Sequence, residues 1–202
     1  MKNLNMFCLT LEPNHYKFIE KLAKSGVLER AMKLAEFKND GLLTKIDGHK
    51  KSTLRGIPKL DDANWAGTKK SNQCTIILTE GDSAKAFAIS GLSVIGRDKY
   101  GVFPLKGKLL NTRHASSDKI AKNAEIENLS KIMGLKYEVE YENTNNLRYG
   151  HILVLTDQDV DGSHIKGLVF NWIHTFWPGL AKIDGFLRSM STPIVKVKNK
   201  KT

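Results

Sequence analysis

The chain has 202 residues, with 32 Lys and Arg against 21 Asp and Glu, a formal charge of +11 and a sequence pI near 9.6. Apolar residues make up 41% and Pro only 5 positions, which excludes a collagen, a low-complexity chain or an acidic disordered tail. No run approaches 18 consecutive apolar residues, so no membrane-spanning helix is expected; the basic excess fits a polyanion, nucleic acid first, or equally Lys on solvated helix faces.

The first apolar run stops by Glu12 with no small-residue cleavage site after it, so no signal peptide is expected. Cys8 and Cys74 match no zinc spacing and make no disulfide framework, which points to a reducing, intracellular setting. Residues 14–38 carry apolar side chains near a 3.6 period, from Phe18 to Ala35, and predict helix broken near Gly26. Residues 39–73 lose that period. Gly41, Gly48, Gly56, Pro58 and Gly67 punctuate a basic stretch that reads as a linker or long ordered loop.

Cys74–Thr79 is a short β-branched apolar run, the pattern of a buried strand. It leads through Glu80-Gly81-Asp82-Ser83 into a helix, with Asp82 or Ser83 as the expected N-cap. Residues 116–133 predict another helix ended by Gly134. His151–Thr156 predicts a second buried strand, Asp157–Gly162 a turn, and Ile165–Trp177 an apolar helix stopped at Pro178. Strand–turn–helix repeated in this way predicts parallel strands with crossover helices, an α/β fold whose crevice lies beyond the carboxyl ends of the strands.

Asp157-Gln158-Asp159-Val160-Asp161-Gly162 carries three carboxylates at i, i+2 and i+4, which share one side if the backbone is extended. Such crowding asks for a cation, and all-oxygen ligands favour Mg²⁺. A calcium-binding EF-hand loop opens the same way, but its twelfth position here is Leu168 rather than Glu, and a strand precedes it. An acidic helix cap needs only one of the three. Glu80 also ends a predicted strand and is the fourth candidate ligand.

Gly101–Lys108 superficially suggests a P-loop. Five residues separate Gly101 from Gly107 instead of four, and Leu109 stands where Ser or Thr is needed. The stretch is basic nevertheless, with Arg97, Lys99, Lys106, Lys108 and Arg113 suited to a phosphodiester backbone or simply to solvent. His164 could touch a phosphate or pack at a helix start. Asp82 and Ser83 read as capping residues, and Trp65, Trp172 and Trp177 as packing residues.

Glu80–Ala84 and Asp157-x-Asp159-x-Asp161-Gly162 resemble the two motifs of a Toprim domain. With Gly96–Asn111, Thr156–Gly167, Gly56–Asn64, Leu147–Gly150 and Thr192–Val195, the chain resembles type IIA DNA topoisomerases, the eukaryotic kind most. The resemblance implies a Toprim fold, a Rossmann-like parallel sheet flanked by helices, at 74–195. It further implies the end of an ATPase-transducer region at 1–38, a basic linker at 39–73, and a basic tail at 196–202 leading to a winged-helix domain beyond the sequence. It assigns two Mg²⁺ to the site, one on Glu80 and Asp157 and one on Asp157 and Asp159, with Asp161 as an alternate ligand. Lys108 and Asn111 would contact DNA, joined by Lys106, which stands where many members have Arg and lacks its bidentate fork, and by His164.

The implied activity is ATP-dependent cleavage and religation of double-stranded DNA by a nuclear homodimer. The attacking tyrosine and the ATP site would lie outside this sequence, since Tyr16, Tyr100, Tyr137, Tyr141 and Tyr149 do not match the nucleophile's context. The isolated piece is therefore expected to be inactive. A Toprim nuclease or primase working without a tyrosine is the alternative enzyme, and a scaffold that binds without chemistry the non-enzymatic one. All of these readings require Glu80 and the Asp157 trio to meet in one crevice.

Overall fold

The structure is a computed structural model that describes residues 41–191. The helical reading of 1–38, the tail at 196–202, Cys8 and Tyr16 lie outside the described residues. Among the described residues no helix is long and apolar enough to cross a membrane.

Four strands form one parallel sheet: β1 (Thr75–Thr79), β2 (Tyr100–Pro104), β3 (His151–Thr156) and β4 (Leu187–Ser191), in the order β2-β1-β3-β4. All five β1 residues are buried, as its unbroken Thr-Ile-Ile-Leu-Thr sequence requires of a strand packed on both faces. Helix α1 (Asp82–Ile95) connects β1 to β2. Two helices, α2 (Ser117–Ala121) and α3 (Ala124–Met133), intervene before β3, and α4 (Val160–Phe176) and α5 (Pro178–Lys182) before β4.

The two sheet faces are covered unequally. Ile76, Leu78, Ile152 and Val154 point into the main core, which takes in Ile126, Leu129 and Ile132 of α3 and Ile165, Val169 and Trp172 of α4. Ile77, Val102 and Leu155 point the other way, into a smaller cluster closed by Ala88 and Leu92 of α1. Each such side chain contributes about 1.5–3 kcal/mol when fully buried. Trp172 and Trp177 are buried and meet edge to face at 5.5 Å, beside Tyr137, so they are packing residues.

Several local expectations change. The predicted 116–133 helix divides because the Asn123 side chain caps α3, accepting from Glu125 N at 3.1 Å and Ile126 N at 2.9 Å. Neither Asp82 nor Ser83 caps α1. Gly81 takes that place at φ 91, a left-handed conformation that suits glycine, and Asp82 instead pairs with Lys59 at 2.6 Å. Pro178 ends one helix by opening the next at its first turn.

Residues 42–73 contain little regular structure yet pack into the same body, with Leu43, Ile46, Ala63 and Ala66 in the core. Asp61 bridges antiparallel to Val102 and covers the outer edge of β2. Arg148 is fully buried; it donates to the carbonyls of Lys51 and Ile132 and to the Asp62 carboxylate. Tyr149 Oη donates to the other Asp62 oxygen and accepts from Ala63 N at 2.9 Å.

Candidate metal centre

The site is built from the ends of adjacent strands. Thr79 pairs with Leu155, so the residue after β1, Glu80, stands beside Thr156, one step short of Asp157. Glu80 N donates to Leu155 O at 3.3 Å, which prolongs the pairing past the strand end. The Asp157 backbone N–H donates back to the Glu80 carboxylate. Glu80 and Asp157 line one crevice of about 280 Å³ together with Ser83, Ala84, Phe87 and Leu155.

The aspartates do not continue as an extended segment. Helix α4 begins at Val160 because the Asp159 side chain caps it, accepting from Gly162 N at 2.6 Å. Asp161 therefore sits in the first helical turn and pairs with Lys108 at 2.8 Å. The helix start lies so close to β3 that a Cβ on Gly162 would fall 2.3 Å from Asp157 O, which requires glycine there. All three aspartates are exposed.

Glu80 carries the electrostatic cost of this crowding. Burial raises its pKa first; Asp159, Asp157 and Asp161 raise it further, against the single Asp157 N–H that lowers it. Its Oε2 is sealed from solvent with no hydrogen-bond partner among the described residues. Among the described residues, no three Asp, Glu, His or Cys side chains close into a ready-made metal cage. Asp159 and Asp161 are turned to the helix N-terminus and to Lys108 instead. Mg²⁺ does not require such a cage, since it binds through one or two carboxylates and keeps waters or phosphate oxygens as its other ligands. An orphaned buried carboxylate oxygen beside a second carboxylate, among hard oxygen donors only, fits that ion.

The basic candidates divide. Lys108 belongs to the site: its ammonium pKa is raised by the Asp161 hydrogen bond first, then by the charges of Asp161, Asp159 and Glu80. Asp161 is correspondingly lowered by Lys108 and, more weakly, by His164, one helical turn along. Asn111 Oδ1 accepts from Arg113 N at 3.2 Å and from Asn171 Nδ2 of α4 at 3.2 Å, leaving its own Nδ2 with no partner among the described residues. Lys106 is not brought to the carboxylates; it lines a separate crevice with Asn123 and Glu125, and its backbone N–H donates to Glu125 Oε1 at 2.6 Å. Sequence reasoning missed Phe87, 61% exposed at the crevice wall, and Asn171. An aromatic residue one turn beyond Ser83 was the available signal for the first; nothing local marked the second.

The Toprim domain family matches residues 75–184. The chain is similar to DNA topoisomerase 2 of Saccharomyces cerevisiae, 51% identical over 181 residues, 90% of this chain and 13% of that protein. The Drosophila melanogaster protein of the same name is 54% identical over 187 residues, 91% of this chain and 13% of the relative. A crystal structure of the Plasmodium falciparum topoisomerase II DNA-binding, cleavage and re-ligation domain superposes with a TM-score of 0.71 at 57% identity, covering 74% of this chain and 20% of that one. This chain spans about an eighth of the length of the curated relatives it matches.

Proposed function

Because the chain belongs to the Toprim domain family, we propose that it is the Mg²⁺-binding part of a type II DNA topoisomerase, an enzyme that cleaves and religates double-stranded DNA to pass another duplex through. One observation carries the reading: the partnerless Glu80 Oε2 at the end of β1, beside Asp157 at the end of β3. Glu80 and Asp157 would hold one Mg²⁺ and Asp157 and Asp159 a second, with Asp161 as alternate ligand. When bound, these ions supply positive charge that stabilises the transferring phosphate and the leaving 3′ oxygen.

The chain's own side chains do the positioning. Lys108, half exposed and paired with Asp161, can exchange that carboxylate for a DNA phosphate. Asn111, held against Asn171 of α4, offers an amide donor. His164 adds a donor in the first turn of that helix. Lys106 would meet the DNA backbone farther from the cut, given its separate crevice.

The attacking phenolate would come from a winged-helix domain outside this chain. Tyr137, Tyr141 and Tyr149 are buried, hydrogen-bonded internally and raised in pKa by that burial, the opposite of an activated nucleophile. ATP would act only in the full-length homodimer, in the nucleus, and this piece alone would cut nothing. Calorimetric titration of the chain with Mg²⁺, with and without duplex DNA, tests the reading. Glu80→Gln and Asp157→Asn should each weaken Mg²⁺ binding at least about tenfold, or by about 1.4 kcal/mol. Unchanged affinity in both variants would overturn it. Free-ended DNA products made by the chain alone would favour the nuclease instead.

A further inference from the structure

A positively charged crevice lies away from the carboxylates. The 47–55 loop crosses the C-terminal end of α3, where Gly48 N donates to Leu135 O at 2.6 Å and Arg148 Nε donates to Lys51 O at 2.6 Å. Helix α3 starts beside Lys106, just past the carboxyl end of β2, and finishes beside Arg148, just before β3. It runs opposite to the strands, so the loop lies at their amino ends. The carboxylates are at the other end of the sheet, about 17 Å away for a five-residue strand.

The crevice has a volume of about 580 Å³ and is lined by Lys51, Arg55, Lys131 and His49 against one carboxylate, Asp47. Asp47 is turned inward, its Oδ1 accepting from Tyr137 N at 2.7 Å. An adjoining crevice of about 300 Å³ shares His49 and adds Lys50 and Lys136. Lys131 pairs with Glu127 at 2.5 Å, whereas Lys51, Arg55 and Lys136 pair with no carboxylate among the described residues. Glu138, Glu140 and Glu142 follow Lys136 in the chain and are exposed, so the sequence beyond Lys136 turns acidic.

We propose that this strip is a second contact for the phosphate backbone of duplex DNA, separate from the carboxylate crevice; the inference rests on the DNA-directed function proposed above. Its larger crevice offers a single apolar side chain, Leu54, and the smaller one adds Val139 and the buried Tyr141, so no exposed aromatic anchor lines the strip. A protein partner would be met by aromatic anchors and little Lys, whereas phosphates are met by Lys and Arg on an open surface. From Lys51 to Arg55 the chain reaches at most about 14 Å, a length over which one DNA strand presents about four phosphates.

The test is binding of a duplex of about 20 base pairs to the 202-residue chain in EDTA, followed by fluorescence anisotropy between about 50 and 200 mM salt. EDTA removes any metal bridge at the carboxylates. Lys51→Gln combined with Arg55→Gln should lower the slope of log affinity against log salt by about 2. Arg55→Lys should leave the slope unchanged, and thermal melts report whether each variant is folded. Lys136→Gln, at a second exposed position, should lower the slope by about 1 and serves if the double variant does not fold. If both sets of Gln variants keep the parent slope while Lys108→Gln weakens binding, the strip is refuted and the function stands. If the variants lose binding to polyglutamate but not to duplex, the strip is a protein contact and the proposal falls. If the parent chain binds no duplex in EDTA, the strip is refuted, while the function, which works through Mg²⁺, is judged by the calorimetric test above.

Discussion

Glu80→Gln keeps the side chain's shape and removes its charge, and the structure predicts opposite effects on stability and on metal binding. Without metal, Glu80 has one oxygen sealed from water with no partner and three aspartates that disfavour its charge. Gln leaves a polar atom at the sealed position but removes a charge that burial and the aspartates disfavour. A close pair of like unit charges costs about 1 kcal/mol in water and more where the site is partly buried. Because the side chain is only partly buried and the aspartates are exposed, the gain stays near that lower value. We expect Glu80→Gln to stabilise the chain by about 1–2 kcal/mol in EDTA at neutral pH, or about 2–8 °C in a body of this size. Magnesium should reverse the order. At a hundred times its dissociation constant a ligand stabilises the state it binds by about 2.7 kcal/mol, a gain open to the parent and largely closed to the variant. Thermal melts in EDTA and in MgCl2 read both effects. A variant that melts below the parent in EDTA, or gains as much from magnesium, would refute the reasoning.

Asp62→Ala should destabilise the chain by about 3 kcal/mol, because it leaves the fully buried Arg148 guanidinium uncompensated; urea unfolding measures it, and a cost below about 1 kcal/mol would mean the network is dispensable. Gly162→Ala forces a Cβ to within 2.3 Å of Asp157 O, so it should both lower the melting temperature and weaken Mg²⁺ binding, whereas Gly167→Ala, in open space on the same helix, should do neither. Burial pushes the Cys74 thiol up to about 11, so at pH 8 its thiolate should be about a hundredfold scarcer than that of an ordinary thiol. In a Cys8→Ser background, alkylation followed by mass spectrometry should find Cys74 protected until the chain unfolds. The sign of the linkage follows: a raised folded pKa favours the fold below the ordinary thiol value and loses that contribution as pH climbs from about 9 towards 11.

The two central strands were legible because a strand buried on both faces is written as an unbroken β-branched run. The outer two were not. Tyr100–Pro104 contains Gly101 and Pro104, and it forms a strand because β1 and Asp61 pair with it from either side. Leu187–Ser191 is half polar, with Arg188, Ser189 and Met190 exposed, and takes its conformation from β3. The crowding of carboxylates at the Asp157 segment was readable from its spacing, but its backbone path was not. The extended reading failed because Asp159 satisfies the helix N-terminus and so starts the helix earlier than the apolar periodicity does. Lys106 and Lys108, two residues apart, looked equivalent in the sequence; only the turn after β2 brings the Lys108 ammonium to Asp161 and leaves Lys106 at a separate crevice, where its backbone N–H meets Glu125. The Arg148–Asp62 pair, 86 positions apart, left no local trace at all.

The sheet order gives the site an unequal pair of jaws. Glu80 follows a strand gripped on both sides by its neighbours, and its own N–H extends that grip by one residue. The opposing acids hang from a turn and the first coil of α4, where Asp159 caps the helix and Asp161 pairs with Lys108 at the surface. The first jaw behaves as an anvil and the second as a finger. Adjustment to an incoming phosphate would fall on the aspartate side, and any push on the far end of α4, through Trp172 and Trp177, would arrive there as well.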